Sequence, residues 1–333
     1  MKTPFKIIQR SFAILSVLHG IGAFLGKAEA QPSRLYKERE MMVMSEGWRL
    51  YGTLVQPTQP REPASVVLLI AGSGPTDRQG NSGATVAPAY LKKMAEALAA
   101  HGIASLRYDK RGVGASRDKS LREERLLFTH YVQDAAAWIH RLRQMGRFRR
   151  IVVLGHSEGA LVATLACQKE KPDALILLCG AGFPSDSLLK QQLTTNPFNR
   201  PWLSRAFSLI DSIRAGQRPG NIPAALQSLF RPSVQPYLAS WFEYDPAAEL
   251  ARLELPKLVI GGSTDIQVNK NNFERLCTKG QASECFLIDG MNHVLVEASD
   301  DYGANLATYF DPQRPLHGLL VEKVLNFMHQ LQP

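Results

Sequence analysis

Several signatures of specialised chemistry are missing from the 333 residues. The four cysteines form no C-x-x-C pair and no cysteine–histidine spacing of a metal site, so the sequence predicts no bound metal. The formal charge is +9, but no basic face interleaved with aromatic residues and no recognition motif accompanies it, which argues against nucleic acid as a partner. Internal repeats and low-complexity stretches are also absent. The remaining composition is that of an ordinary globular protein, with enough length for a sizeable core.

Long apolar runs are scarce as well, and the one at the N-terminus carries the features of an export signal. Three basic residues open this segment: Lys2, Lys6 and Arg10. The apolar run Ser11–Gly26 follows, and Ala28-Glu29-Ala30 fits an A-x-A cleavage site. The run is short for a membrane span and is interrupted by glycines. We predict that residues 1–30 are a signal peptide and that the mature chain is periplasmic or extracellular, without stable membrane insertion. An uncleaved anchor is the alternative.

The cysteines divide into two pairs. Cys277 and Cys285 flank a short polar loop, where an oxidising compartment would allow them either to pair or to remain free. Cys167 and Cys179 fall in apolar helix and strand patterns, so we expect them to be buried thiols.

The most informative stretch is Ile151–Ala166, IVVLGHSEGALVATLA. A β-branched run predicts a buried strand, a G-x-S-x-G pentapeptide follows, and the last residues continue as a helix. Glycines on both sides of Ser157 let strand and helix approach closely, which would hold the serine in a strained turn with its hydroxyl exposed. We interpret Ser157 as a nucleophile; an ordinary helix N-cap is the alternative.

Apolar segments of strand length alternate with helical segments along most of the chain, after an opening hairpin around residues 45–48. This alternation predicts an α/β fold with a mostly parallel, doubly wound sheet. Between residues 182 and 245 the alternation stops, and prolines and short amphipathic segments predominate. We predict that residues 31–181 and 246–333 form the core, and that 182–245 are a helical lid insertion.

Three side chains follow predicted strands: Ser157, Asp265 and His293. Active-site groups gather at the carboxyl ends of the strands in such sheets, and a serine needs a base to act as a nucleophile. His293 is the best candidate base, and Asp265 would orient its imidazole. Asp289 and Asp245 are rival acids. His156, adjacent to Ser157, is expected to pack rather than to accept a proton.

A carbonyl under attack also needs two N–H donors for its developing negative charge. The amide of Glu158 is one candidate, and Ser73, after the strand Ser65–Ile70, is the other. Gly74 is the second choice for that donor and is expected to contact the substrate. A phosphate-binding loop is the alternative for this segment, but Pro75 interrupts the row of amides.

Two further groups of charged residues lie near these positions in the sequence. Asp109, Lys110 and Arg111 follow a buried strand, and we expect them to hold the surrounding loops by ion pairs. Glu158 is an unusual neighbour for a nucleophile, and we expect its carboxylate to pair with Arg78 or Arg111.

Six motifs together resemble one known group of proteins: GSGPTDRQGN (72–81), RYDKRGVGAS (107–116), GHSEG (155–159), SVQPYLASWFEYDP (233–246), GGSTDIQV (261–268) and MNHVL (291–295). The chain is similar to bacterial α/β-hydrolases of the carboxylesterase group, relatives of dienelactone-hydrolase-like and serine-aminopeptidase-like enzymes. The resemblance implies the α/β-hydrolase fold, a triad of Ser157, Asp265 and His293, hydrolysis of small acyl esters and no cofactor. It also implies that the insertion shapes the substrate pocket through three aromatic side chains: Tyr237, Trp241 and Phe242.

These residues and motifs are consistent with three functions. The first is a serine hydrolase that cleaves small carboxylic esters through an acyl-enzyme. The second is an aminopeptidase, amidase or thioesterase with the same triad, in which Glu243 and Asp245 would bind a substrate amine. The third is a binding module that kept the fold without catalysis. The oligomeric state is left open by the sequence.

Overall fold

An eight-stranded sheet, mostly parallel, runs through the part of the chain that the structure describes. The structure is a computed structural model that describes residues 35–61, 64–83 and 85–331; the predicted signal peptide lies outside these residues. The strands are β1 (Tyr36–Ser45), β2 (Trp48–Pro57), β3 (Ser65–Ile70), β4 (Ala104–Tyr108), β5 (Arg150–His156), β6 (Ala174–Leu178), β7 (Lys257–Gly262) and β8 (Glu284–Ile288). Their spatial order is β1-β2-β4-β3-β5-β6-β7-β8.

The predicted opening hairpin is confirmed. Strands β1 and β2 pair antiparallel with Ser45 opposite Trp48, so that only two residues form the turn. Both of them, Glu46 and Gly47, have positive φ angles of 47° and 79°. A two-residue turn of this kind matches the twist of the flanking strands, and glycine adopts it without strain.

Strands β3 to β8 are parallel to their neighbours, with β2 joined antiparallel to β4. Helices cover both faces of this sheet. They are α1 (Tyr90–Ala100), α2 (Phe128–Gln144), α3 (Glu158–Lys169), α4 (Ser185–Thr195), α5 (Leu203–Arg214), α6 (Gln227–Phe230), α7 (Gln235–Phe242), α8 (Pro246–Ala251), α9 (Lys270–Thr278), α10 (Tyr302–Ala307) and α11 (Gly318–Gln330). Because the central strands β3 to β7 are covered on both faces, their apolar residues run nearly without alternation. The doubly wound arrangement is confirmed.

Two large apolar clusters form most of the core, and a small third one consists of Val294, Val296 and Tyr309. On one face, α2 and α3 pack against the sheet, and Phe128 and Trp138 are fully buried there. On the other face lie α1 and α11, represented by Leu91 and Phe327. The alternate residues of each buried strand point into the two clusters, as the period of a strand requires.

The segment between β6 and β7 is helical and rests on the first cluster. Its helices α4 to α7 add buried residues such as Ile210 and Leu238 to that core, and the ring of Trp241 stacks on Phe128 with centroids 6.0 Å apart. Helix α8, which precedes β7, was not predicted. Its six residues are too few for a helical period to emerge from the sequence.

The four cysteines form one disulfide and two free thiols. Cys277 and Cys285 form a disulfide that joins α9 to β8, so the paired alternative is confirmed. Cys167 and Cys179 are buried free thiols, as expected. Among the described residues, none of the helices combines the length and apolarity that crossing a bilayer requires.

Candidate active site

Ser157 lies in a sharp turn between β5 and α3. Its backbone has φ 56° and ψ −122°, a conformation that an L-residue adopts only when its surroundings enforce it. The two flanking glycines explain how this conformation is enforced. A Cβ on Gly155 would stand 2.2 Å from the carbonyl oxygen of Gly159, and a Cβ on Gly159 would stand 2.5 Å from that of Ala71. The absence of both side chains allows strand, turn and helix to pack closely, as predicted from the pentapeptide.

His293 and Asp265 form a buried hydrogen-bonded pair. His293 Nδ1 lies 2.8 Å from Asp265 Oδ2. The other carboxylate oxygen, Oδ1, accepts from the backbone amides of Gln267 and Val268, each at 2.8 Å. With Nδ1 donating to the carboxylate oxygen, Nε2 on the other side of the ring is the nitrogen that can take up a proton. The structure thus brings together the histidine and the preferred acid.

The neighbour of Ser157 connects the turn to the histidine. His156 Nε2 donates to the carbonyl oxygen of His293 at 2.8 Å, and the two imidazole rings lie 4.8 Å apart. The ring of Tyr90 also packs against that of His156, with centroids 4.4 Å apart. Among the described residues, no hydrogen bond joins Ser157 to His293 directly. His156 is a buried packing residue, as expected, and it links the segments that carry these two side chains.

A fully buried asparagine, missed by the sequence analysis, organises the loop of His293. Asn292 Oδ1 accepts from the backbone amides of Val294 and Val296, at 3.2 and 3.3 Å. Its Nδ2 donates to Asn305 Oδ1 and Thr308 Oγ1, at 3.0 and 2.7 Å. The sequence signal that could have identified Asn292 is a polar residue directly before the candidate base. Its four partners come from distant or irregular segments, so they could not be read from the sequence.

Backbone amides on both segments beside Ser157 have no acceptor in the described part of the chain. Glu158 is the first residue of α3, where an amide has no intrahelical partner. Ser73 and Gly74, the first and second choices for the other donor, lie in the loop after β3, and the amides of both are likewise unpaired. This loop is close to the turn, because a Cβ on Gly72 would stand 3.1 Å from the Cβ of Ser157. The predicted pair of donors therefore lies on the two segments that flank the serine.

The rival acids are engaged elsewhere. Asp289 accepts from the hydroxyl of Ser263 at 2.9 Å. Asp245 pairs with Arg275 and Lys279, at 2.7 and 2.8 Å. Burial alone would raise the pKa of Asp245, but hydrogen bonds from these two cations lower it. Among the described residues, Asp265 is the carboxylate bonded to the His293 imidazole.

The charged residues after β4 hold loops, as expected, but the partner predicted for Glu158 is wrong. Asp109 is bound by Arg78, and Arg111 donates to both oxygens of Asp134. Since both arginines are already paired, the Glu158 carboxylate faces Lys110 instead, with Nζ 3.6 Å from Oε1.

A cavity of about 150 Å³ opens beside Ser157. One end is polar, with Ser73, Gly74 and Glu158 around the serine. The walls are mostly apolar and come from α2, α3 and the helices between β6 and β7: Tyr131, Leu161, Leu188, Leu189, Leu238 and Trp241.

Comparisons with known proteins agree with this fold. Residues 84–223 match the family described as serine aminopeptidase, S33. Est1E from Butyrivibrio proteoclasticus superposes with a TM-score of 0.56 at 18% identity, covering 87% of this chain and 99% of that one. The esterase Pf2001 from Pyrococcus furiosus gives a TM-score of 0.58 at 16% identity, covering 92% and 95%. The chain has the α/β-hydrolase fold.

Sequence similarity adds a distant relationship to esterases. This chain is 25% identical to esterase EstD of Thermotoga maritima over 249 residues. The match covers 70% of this chain and 55% of EstD, so the chain spans about half the length of that curated relative. Proline iminopeptidase from Mycobacterium smegmatis is also similar in structure, with a TM-score of 0.58 at 15% identity over 88% of this chain and 98% of that one.

The aromatic residues of α7 are only partly where they were expected. Tyr237 and Trp241 line the cavity. Phe242 does not; it is buried in the apolar core. Successive residues of a helix are rotated by about 100°, which turns Phe242 away from the face that carries Trp241.

The acidic side chains suggested for binding an amine are absent from the cavity wall. Glu243 is exposed, and Asp245 is held in its ion pairs. The carboxylates that do line the cavity are Glu123, which Arg231 binds, and Glu158, which accepts from the Tyr237 hydroxyl at 2.7 Å. Both have partners within the protein.

One group of potential metal ligands occurs among the described residues. His156, Cys179 and His293 each place a ligand atom within 4.8 Å of the others. His156 Nε2 and His293 Nδ1 already form the hydrogen bonds described above, so the group offers only an incomplete coordination shell. We assign no ion to it.

The turn at Ser157 should tolerate no side chain on its glycines. We expect Gly159→Ala to lower the free energy of unfolding by about 1–3 kcal/mol, because its Cβ would meet two backbone carbonyl oxygens that cannot easily move. Gly318→Ala is the matched control, since a Cβ there meets nothing within 4 Å. Urea denaturation of the two variants and the parent compares them. Equal stabilities for all three would contradict this view of the turn.

His156 should make the protein less stable in acid. Burial lowers its pKa well below the ordinary value, and the neighbouring His293 ring lowers it further. The unfolded chain therefore binds a proton near pH 6.5 that the folded protein excludes. As the pH falls below about 6.5, stability should decline by up to about 1.4 kcal/mol per pH unit from this residue.

The variant His156→Gln removes the titrating ring and retains a side-chain N–H donor. We expect its free energy of unfolding to fall less steeply between pH 6.5 and 5 than that of the parent, as measured by chemical denaturation at each pH. Parallel curves for the two proteins would show that His156 carries no such effect.

Proposed function

We propose that this α/β-hydrolase cleaves small carboxylic esters through an acyl-enzyme on Ser157. The observation that carries the proposal is the buried His293–Asp265 hydrogen bond of 2.8 Å, at the same edge of the sheet as a serine held in a strained turn. This arrangement supplies a nucleophile, a base with a fixed tautomer and an acceptor for the second ring proton. Retention of all three groups argues against a binding module without catalysis.

The reaction begins when Ser157 Oγ attacks the ester carbonyl carbon and its proton passes to His293 Nε2. Asp265 stabilises the imidazolium that forms. The carbonyl oxygen becomes an oxyanion and accepts hydrogen bonds from the amides of Ser73 and Glu158. When the intermediate collapses, the C–O bond to the alcohol breaks, and the alcohol leaves with the proton from His293. Water then attacks the acyl-enzyme by the same route, which releases the carboxylic acid and restores the serine.

The cavity supports small ester substrates with an apolar group. Its volume of about 150 Å³ and its walls of Leu161, Leu188 and Trp241 suit a compact aliphatic or aromatic moiety. A solved complex of Est1E contains ferulic acid, an aromatic carboxylic acid. We propose a substrate of comparable character for this chain, with Gly74 and Tyr237 contacting it beside the serine.

A second candidate, hydrolysis of aminoacyl amides, is favoured by the match of residues 84–223 to the S33 serine aminopeptidases. Such a substrate carries a cationic amine, which binds best to an unpaired carboxylate. Glu123 and Glu158 are the carboxylates of the cavity wall, and both are occupied by other residues. We therefore place this candidate second. A thioesterase would use the same groups, so a comparison of thioester and ester substrates distinguishes it from an esterase.

We also propose that residues 182–245 act as a lid and that the protein is exported. Support for the lid is that α4 and α7 supply walls of the cavity. Export is supported by the charged, apolar and cleavage-site segments of residues 1–30, and a disulfide between Cys277 and Cys285 fits an oxidising compartment.

Replacing the nucleophile tests the function. We expect Ser157→Ala to lower kcat/KM for short-chain p-nitrophenyl esters by at least about a thousandfold, because no other group can form the acyl-enzyme. Ser204→Ala, at an exposed serine of α5, is the matched control and should retain the parent's activity. Circular dichroism would verify that both variants are folded. Undiminished hydrolysis by Ser157→Ala would refute the proposal, and a preference of the parent for aminoacyl amides over esters would favour the second candidate.

A further inference from the structure

A buried lysine, Lys110, contacts both segments that carry the unpaired amides. It contacts a backbone carbonyl on one segment and a side-chain carboxylate on the other. Lys110 is only 3% exposed, and its Nζ donates to the carbonyl oxygen of Gly72 at 2.5 Å. The same nitrogen lies 3.6 Å from Glu158 Oε1 and 5.1 Å from the centroid of the Tyr131 ring. Burial lowers the pKa of Lys110, and the adjacent Glu158 carboxylate opposes this effect. A buried cation needs such partners, so its place is well defined.

The contact with Gly72 bears directly on the amide of Ser73. The carbonyl of Gly72 and the N–H of Ser73 belong to one planar trans peptide group, in which the two bonds point in opposite directions. A side chain that fixes the oxygen therefore also fixes the direction of the N–H. A charged donor on the oxygen polarises the peptide as well, which strengthens the hydrogen bond that the N–H can give.

Glu158 connects the same lysine to the second amide. Its carboxylate follows Ser157 directly, is anchored by the Tyr237 hydroxyl at 2.7 Å and faces Lys110. One ammonium group thus joins the loop of Ser73 to the first residue of α3. The lysine lies outside the G-x-S-x-G pentapeptide and is separated from it by more than forty positions in the sequence.

We propose that Lys110 is a positioning residue for the oxyanion hole, which orients and polarises the Gly72–Ser73 peptide so that its N–H meets the developing oxyanion. This inference rests on the proposed function of Ser157. Lys110 does not touch the substrate; its effect passes through the peptide. The competing explanation is that the lysine only neutralises the buried charge of Glu158.

The first test replaces Lys110 with a neutral side chain of similar length. We expect Lys110→Met to lower kcat for a short-chain ester about tenfold to hundredfold, while KM changes less than about twofold, because the lost interaction matters mainly in the transition state. A trifluoromethyl ketone forms an adduct on serine that carries an oxyanion. Its inhibition constant should rise by about the factor by which kcat/KM falls.

Two control variants separate positioning from stability and charge balance. Lys257→Met removes another buried lysine that donates to backbone carbonyls, those of Leu250, Leu253 and Gly280. It should lower thermal stability without changing kcat. The double variant Lys110→Met with Glu158→Gln leaves no unpaired buried carboxylate. It should recover stability relative to Lys110→Met but keep the low kcat.

The outcomes are distinct. A parental kcat in the Lys110→Met variant, or its recovery in the double variant, would overturn the proposal and leave charge balance as the role of Lys110. An unchanged inhibition constant for the ketone would also overturn it. Failure of the proposed function itself would appear differently, as activity that survives Ser157→Ala in an otherwise intact protein.

Discussion

The hydrogen bond between His293 Nδ1 and Asp265 Oδ2 is the interaction on which the proposed chemistry of this molecule depends. Without it the imidazole would have neither a defined tautomer nor a counterion when it is protonated. The surrounding structure maintains the bond from both sides. Two backbone amides hold the second oxygen of Asp265, and the buried side chain of Asn292 fixes the loop that carries His293.

The fold explains why this pair can serve a serine from a distant part of the chain. Strands β5, β7 and β8 are parallel, so the segments that follow them emerge at one edge of the sheet. His156, at the end of β5, then reaches across to the carbonyl of His293. The close packing that excludes side chains at Gly155 and Gly159 presents Ser157 at the same edge. Most of the site is therefore a consequence of strand order and of two missing Cβ atoms.

Much of the fold and of the candidate site was predictable from the sequence because it depends on local patterns. The hairpin turn at Glu46 and Gly47, the buried strands and the turn at Ser157 each follow from a few adjacent residues. Chain order and strand ends then selected Asp265 over its rivals. The features that could not be predicted are contacts between distant segments, in which several partners compete. The carboxylate of Glu158 pairs with Lys110 because both nearby arginines have other acids, and no pattern along the chain records that competition.

Ser157 should become covalently acylated during turnover, and trapping that intermediate is the sharpest test of the proposed chemistry. The protein would be mixed with p-nitrophenyl acetate, quenched in acid within the first turnovers, digested and analysed by mass spectrometry. We expect an acetyl group on the peptide that contains Ser157, located at the serine by fragmentation, and no acetyl group there when Asp265→Asn protein is treated for the same time. Acetylation confined to other residues, or turnover with an unmodified Ser157 peptide at every quench time, would contradict it.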